Sequence, residues 1–281
     1  MQMKLLLWMV VMMVILPSST VTVSSNISLE NCPQTCGNVS VPFPFGFGRP
    51  ECAKNSSFLL ECNQSSSLLY GNITINNISL QDGTITGLIN AVAYYCYNQS
   101  GRYFGNFQQH IRLDRWPLII SPTYNKFIGL GCQMMAKISG GEGTIGSACL
   151  SLCHDHTDIR DDGSCSGFGC CQTSIPKHLD QVNISVGGSG NRSIRKFSPC
   201  SYAFVVENSF NISKIDFLGY RETVPLQLPV VFEWVIGDHQ GCQDCCGLNT
   251  ECSYSDTGGG FRCLCKPGFT GNPYLPLGCQ E

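Results

Sequence analysis

Apolar and polar residues along this chain come in short runs, many of them alternating. Between residues 31 and 135 the runs at 57–60, 68–70, 73–78, 84–88 and 127–130 are apolar or alternating and of strand length, with Asn, Gly, Asp and Ser between them. Alternation puts every second side chain on one face of an extended chain, so each run reads as a half-buried strand. Asp82-Gly83 lies between Ile78-Ser-Leu80 and Thr84-Ile-Thr86 and predicts a hairpin. No window of this stretch sustains a helical period. Val41-Pro-Phe-Pro-Phe-Gly-Phe-Gly48 is different: two prolines remove backbone donors and exclude a central strand, while three phenylalanines should hold the segment extended against a core. Further on, 201–206 and 230–236 read as strands and Gly187-Gly-Ser-Gly190 as a flexible loop. The predicted fold class is mostly β.

One apolar run is of another kind. Residues 5–16 are twelve consecutive apolar residues, preceded by Lys4 and followed by Pro17 and a Ser/Thr-rich stretch to about residue 25. This is the layout of a signal peptide over residues 1–25. As a helix it would rise only about 18 Å, short of a roughly 30 Å hydrocarbon core. No later segment reaches eighteen apolar residues, so no membrane span is predicted in this sequence.

Composition sets the compartment. The chain has nineteen cysteines and ten Asn-x-Ser/Thr sequons, at Asn26, Asn38, Asn55, Asn63, Asn72, Asn77, Asn98, Asn183, Asn191 and Asn211. A reducing cytosol would leave the thiols free and the acceptors meaningless; an oxidising secretory compartment turns them into cross-links and glycans. The odd cysteine count leaves at least one thiol free or paired outside the chain. Charged residues are 13%, about half the usual share. Net charge is −3 with no block of one sign, so the basic face of a nucleic-acid binder is missing. The expectation is a set of disulfide-rich extracellular β units.

Three stretches carry a family resemblance. Cys32-Pro-Gln-Thr-Cys36-Gly37 with Val41-Pro-Phe-Pro-Phe-Gly46, and later Ile128-Gly-Leu-Gly131-Cys132, resemble the opening and close of the galacturonan-binding domain of plant wall-associated receptor kinases. Cys165-Ser-Gly-Phe-Gly-Cys170-Cys171-Gln172, Ile175-Pro176 and Cys200-Ser-Tyr-Ala-Phe204 resemble that family's second cysteine-rich region. Cys242, Cys246, Cys252, Cys263, Cys265 and Cys279, with Gly268-Phe-Thr-Gly-Asn-Pro-Tyr-Leu275, resemble its EGF-like module. The resemblance implies domains at 29–136, 137–236 and 241–281, the last small and held by its bridges. It implies the pairs Cys242–Cys252, Cys246–Cys263 and Cys265–Cys279, with Cys245 in excess. It further implies a location in the cell wall or apoplast, or at the plasma membrane for a longer product. The family's transmembrane helix and kinase have no counterpart in this sequence, so no enzyme activity is expected.

The chemistry implied is recognition of pectin or oligogalacturonides, a polyanion with one carboxylate per sugar. Arginine suits it, because its planar fork meets a carboxylate bidentately, and aromatic rings suit the sugar faces. Two groups supply such residues: Arg102, Arg112, Arg115 and Trp116 in the first, Arg192, Arg195 and Lys196 in the second. An interaction with an extracellular protein or peptide is the alternative, and a carbohydrate-active enzyme a third reading. Other motifs read as structural. Gly141-Glu-Gly143-Thr-Ile-Gly146 matches G-x-G-x-x-G without the strand–helix context of a nucleotide loop. Cys242-Gln-Asp-Cys245 matches C-x-x-C outside a redox fold. His154, His156, Asp155, Asp158, Asp161 and Asp162 meet no complete ligand-spacing pattern, and the EGF-like region lacks the acidic cluster of a calcium site, so no metal and no cofactor are expected.

Overall fold

The computed structural model describes residues 27–98, 102–113, 117–141, 143, 145–159, 164–179, 181–188, 192–211, 227–237, 241–242, 245–257 and 259–281. Its strands run in chain order β1 (Thr35–Cys36), β2 (Val39–Ser40), β3 (Gly46–Phe47), β4 (Leu59–Cys62), β5 (Leu68–Tyr70), β6 (Ile73–Ser79), β7 (Thr84–Ile89) and β8 (Val92–Tyr97). They continue as β9 (Tyr103–Phe107), β10 (Gln109–Arg112), β11 (Leu118–Ile120), β12 (Asn125–Leu130), β13 (Met134–Ser139), β14 (Gly146–Ser151), β15 (Cys170–Thr173) and β16 (Gln181–Gly188). A short helix, α1 (Arg192–Phe197), precedes β17 (Cys200–Glu207), β18 (Leu228–Trp234), β19 (Thr250–Tyr254), β20 (Phe261–Cys265), β21 (Thr270–Gly271) and β22 (Cys279–Gln280). The protein is mostly β.

Three sheets carry the molecule: β11-β18-β7-β6-β5-β4-β3, β15-β12-β17-β8-β9 and β10-β16-β13-β14. The alternating runs of the sequence become β6, β7, β12, β17 and β18, and the Asp82-Gly83 hairpin joins β6 to β7 with Ser79 opposite Thr84. The proline-rich segment buries Val41 and Phe45 and adds β3 as the outermost strand, parallel to β4. Glycine is required at 46, where a Cβ would fall 2.1 Å from the Cys52 carbonyl oxygen.

Pairing crosses the sequence boundaries. The division at 136/137 falls inside β13, and strands from both sides of it share the large sheets. β18 lies between β11 and β7, β17 between β12 and β8, and β16 between β10 and β13. Gly187 and Gly188, read from sequence as a loop, are the end of β16, paired with Met135 and Met134. Glycine composition suggested flexibility there; ladder bonds to a neighbour far away in sequence hold it extended.

The core has one large apolar cluster and two smaller ones. Trp234, Phe45, Phe127, Phe204, Phe232 and Phe261 are fully buried. One apolar cluster reaches from Cys36 through Trp234 to Tyr274, joining all three segments. Phe45 meets Trp234 edge-on with centroids 5.2 Å apart, and Trp234 meets Tyr274 at 5.3 Å. Asn272 Nδ2 donates to the carbonyls of Ile27 at 2.7 Å and Phe43 at 2.8 Å, tying 241–281 to the start of the described chain.

Nine disulfides reinforce this body. They are Cys32–Cys52, Cys36–Cys62, Cys96–Cys200, Cys132–Cys153, Cys149–Cys171, Cys165–Cys170, Cys242–Cys252, Cys246–Cys263 and Cys265–Cys279. Cys245 alone keeps a free thiol and is half-buried. Among the described residues no helix is long and apolar enough to cross a membrane.

Candidate functional site

A group of tyrosines forms where β8 meets β9. Alternation in β8 sends Tyr94 and Cys96 one way, Tyr95 and Tyr97 the other. Tyr94 stacks on Phe107 with centroids 5.9 Å apart. On the opposite face Tyr95 meets both Tyr97 and Tyr103 at 5.3 Å. A register shift after Cys96 places Tyr97 opposite Tyr103, which is 52% exposed.

One arginine packs on this group, and a second neighbours it in the chain. α1 buries Ile194 against the Cys132–Cys153 bridge, and that anchor turns Arg195 toward β8. The Arg195 guanidinium lies 3.8 Å from the centroid of the Tyr97 ring, a cation–π contact. Arg102 is exposed beside Tyr103. Its backbone is held by Asn98, whose Oδ1 accepts from Arg102 N at 2.9 Å and whose N donates to Arg102 O at 2.8 Å. Burial, then the hydrogen bond with Tyr95, raises the pKa of Tyr97, with Arg195 acting in the opposite sense. Tyr97 is therefore a neutral hydroxyl at physiological pH, within 3.2 Å of the Gly188 carbonyl that accepts from it. The arrangement offers guanidinium forks beside exposed ring faces, the chemistry for a carboxylated sugar.

The two cation groups of the sequence are thus redistributed. Arg195 of the second packs on Tyr97, which pairs with Tyr103, the residue after Arg102 of the first. Arg112 lies apart: it ends β10 opposite Gln181, at the far end of β16 from Gly188, about 23 Å away at the usual rise per strand residue. Arg192 and Lys196 are exposed on α1. Arg115 and Trp116 lie outside the described residues. Sequence reasoning missed Tyr95 and Tyr97. The signal for them was the run Tyr94-Tyr95-Cys96-Tyr97, whose period-two split gives one aromatic face. Among the described residues Arg49 pairs with Glu51 and Lys177 with Asp256.

The remaining motifs have structural work. Gly141–Gly146 belongs to the hairpin between β13 and β14, where Gly140 N donates to Ile145 O at 2.8 Å. Asp158 Oδ2 accepts from the backbone nitrogens of His154 and Asp155, and Asp155 Oδ1 accepts from Thr157 N. The Thr157 hydroxyl and amide hold the Asp155 carboxyl below its ordinary pKa. Both carboxylates are spent on a turn. Asp161 and Asp162 lie outside the described residues. The sulfurs of Cys242, Cys246 and Cys252 cluster within 4.8 Å, but all three are in disulfides and cannot act as thiolate ligands.

The sequon asparagines differ in what they do. Asn38, Asn55, Asn72, Asn77, Asn98 and Asn211 are exposed, Asn63 and Asn183 half-buried, and Asn26 and Asn191 lie outside the described residues.

Fold and cross-links together define a disulfide-stapled, mostly β module of the extracellular type. Residues 32–89 match the family model for wall-associated receptor kinase galacturonan-binding, and residues 162–224 the one for wall-associated kinase. The chain is 34% identical over 262 residues to wall-associated receptor kinase 2 of Arabidopsis thaliana, covering 90% of this chain and 34% of that protein. It is 35% identical over 265 residues to wall-associated receptor kinase 5 and 31% over 264 residues to wall-associated receptor kinase 1 of the same organism, again covering 90% of this chain and 34% of each relative. This chain belongs to the wall-associated receptor kinase family, and it spans about a third of the length of the curated relatives it matches. No kinase domain is matched. No solved structure matches it.

Proposed function

We propose that this protein is a cell-wall sensing module that binds acidic pectin or oligogalacturonides and does no chemistry on them. The match of residues 32–89 to a galacturonan-binding region is the observation that carries the proposal. The tyrosine–arginine group supports it chemically. Arg195 and Arg102 offer bidentate partners for uronate carboxylates, and Tyr103 with Tyr97 offers ring surface for the sugar faces. A protein partner is the competing reading; its best support is Leu248 and Leu277, exposed on the 241–281 unit.

Binding of this kind is electrostatic. Affinity for oligogalacturonide falls as salt rises, since exposed charges are screened within about 10 Å at 0.1 M. Calorimetric titration of the glycosylated protein tests it, with fully methyl-esterified pectin as the uncharged comparison. Equal affinity for the acidic and esterified polymers overturns the proposal. At the site, Arg102→Gln with Arg195→Gln lowers affinity about tenfold or more while the melting temperature stays within a few degrees, each contact being worth up to about 1 kcal/mol.

A further inference from the structure

The outer face of the sheet β10-β16-β13-β14 has a chemistry of its own. Register decides which side chains share it. Arg112 lies opposite Gln181 on β16, and His110 opposite Asn183. Lys137 on β13 lies opposite Ser185 of β16 and Ala148 of β14, and Met135 opposite Leu150. Arg112, His110, Lys137, Met135 and Leu150 are all exposed, while alternate residues such as Ala136, Ile138, Val182 and Ile184 fill the core. Among the described residues paired in these four strands, none on the outer face is Asp or Glu.

Asn183 sits among these residues and carries a sequon. Its Nδ2 donates to the Gly140 carbonyl at 3.0 Å, so its Oδ1 is turned to His110 Nδ1. An oxygen there requires the His110 proton on Nδ1 and leaves Nε2 as the ring's second polar atom. Asn183 Nδ2 also lies 3.4 Å from the Gly141 carbonyl, so a glycan on that nitrogen would replace a hydrogen facing one of two carbonyls, which favours a bare asparagine on this face.

The segment 32–89 is built in the opposite way. Its only cations are Arg49 and Lys54. Arg49 is held by Glu51 and by the Asn31 carbonyl. Five sequons fall within it, four of them on exposed asparagines. It has little charge to offer a polyanion, and glycans there would stand between it and a polymer.

We propose that the outer face of β10-β16-β13-β14, outside the segment that matches the galacturonan-binding family model, binds an extended chain of uronic-acid sugars. Carboxylates meet Arg112 and Lys137, sugar hydroxyls donate to His110 Nε2, and the C–H faces of the rings rest on Met135 and Leu150. From the Arg112 row to the Met135 row is six residues along β16, about 20 Å, so the face spans several sugars. This placement rests on the acidic-pectin reading above.

The test is titration of the full glycosylated chain with polygalacturonate and with a galacturonate trisaccharide. Arg112→Gln with Lys137→Gln lowers affinity for the polymer about tenfold or more, and less for the trisaccharide, which cannot span the face. Arg49→Gln with Lys54→Gln stays within twofold. Because loss of binding can follow from loss of fold, Ala148→Arg, which adds a cation beside Lys137 on an exposed position, provides the complementary arm: it raises polymer affinity about threefold or more. If Arg49→Gln with Lys54→Gln loses binding, or if neither Arg112→Gln with Lys137→Gln nor Ala148→Arg changes it, the placement is overturned while acidic-pectin binding stands. If the wild-type chain binds no acidic polysaccharide, the underlying reading falls and this surface with it.

Discussion

Asn125 shows how much one buried side chain can carry. It is 3% exposed, and its Nδ2 donates to the carbonyls of Ser121 at 2.8 Å and Val231 at 2.6 Å while its Oδ1 accepts from Val231 N at 2.9 Å. Those bonds join the start of β12 to β18 across two sheets. Asn125→Ala leaves the Val231 amide without its acceptor away from water, while the Val231 carbonyl keeps the Ser121 amide at 3.0 Å, and should lower stability by about 1–3 kcal/mol in urea unfolding. Nothing in Tyr-Asn-Lys marks that asparagine, because Val231, to which it both donates and accepts, lies 106 residues further on. The sequons were legible as text, but their side-chain roles were not. Glycopeptide mapping should find Asn55, Asn72 and Asn77 occupied and Asn183 bare, because the Asn183 nitrogen that would bear the sugar is held by the carbonyls of Gly140 and Gly141. A fully occupied Asn183 would contradict this. Tyr70 and Tyr274 make a pH prediction. Burial raises both pKa values, Tyr274 with partial opposition from the Cys263 amide and Arg262. In the unfolded chain these phenols ionise near pH 10. Above that pH the unfolded state sheds protons that the folded state retains, so this contribution is full below about pH 10 and lost as pH rises further. The melting temperature should hold to about pH 9 and fall beyond 10, and Tyr274→Phe should flatten part of that fall.

At the level of elements, the β6–β7 hairpin was readable from Asp82-Gly83 with its flanking alternation. Gly83 takes a φ of 64°, the left-handed conformation that the turn demands. What its tip is for was not readable. Arg262 from β20 reaches over it to donate to the Asp82 carbonyl, and a Cβ on Gly83 would lie 1.9 Å from that guanidinium. The hairpin is a seat for the 241–281 unit. Glu233 completes the seat by accepting from Ser121 Oγ and from Thr257 Oγ1, the latter at 2.7 Å. Gly83→Ala should cost about 1–3 kcal/mol through strain and displacement of Arg262. Its signature should be faster amide exchange in 250–265, with β12 and β17 unaffected. The same limit explains α1 and β16. Six residues give too little period to announce a helix, and paired glycines looked like a loop until Met134 and Met135 supplied the ladder.

For the whole molecule, cysteine count foretold a cross-linked body, and the structure contains nine bridges with Cys245 left over. Alkylation of the native protein should label one thiol per chain, and Cys245→Ser should remove that label without moving the melting temperature by more than about a degree. Labelling of several cysteines would mean the framework is different. The shared core around Trp234, Phe45 and Tyr274 makes a further demand. Thermal unfolding followed by calorimetry should give one transition, because the 241–281 unit buries its own Phe261 and Tyr274 in that common cluster. An early separate transition from this unit would show that the contacts around Asn272 and Arg262 are weak.

The amino-acid sequence by itself determined the class of this protein: mostly β, from period-two alternation; cross-linked and of the extracellular type, from its cysteines; a wall-associated receptor relative, from the motifs around Cys32, Cys170 and Cys279. These properties are local, since alternation, composition and motif spacing are all written within short windows. Only the tertiary structure decided that the segments on either side of residue 137 share their sheets, that Arg195 packs on Tyr97 while Arg112 stands about a strand's length away, and that Asn183 lies beside His110. Each of these depends on which strands pair and in what register. Those choices follow from burying Trp234, Phe232 and their neighbours together, a condition met by residues tens to hundreds of positions apart.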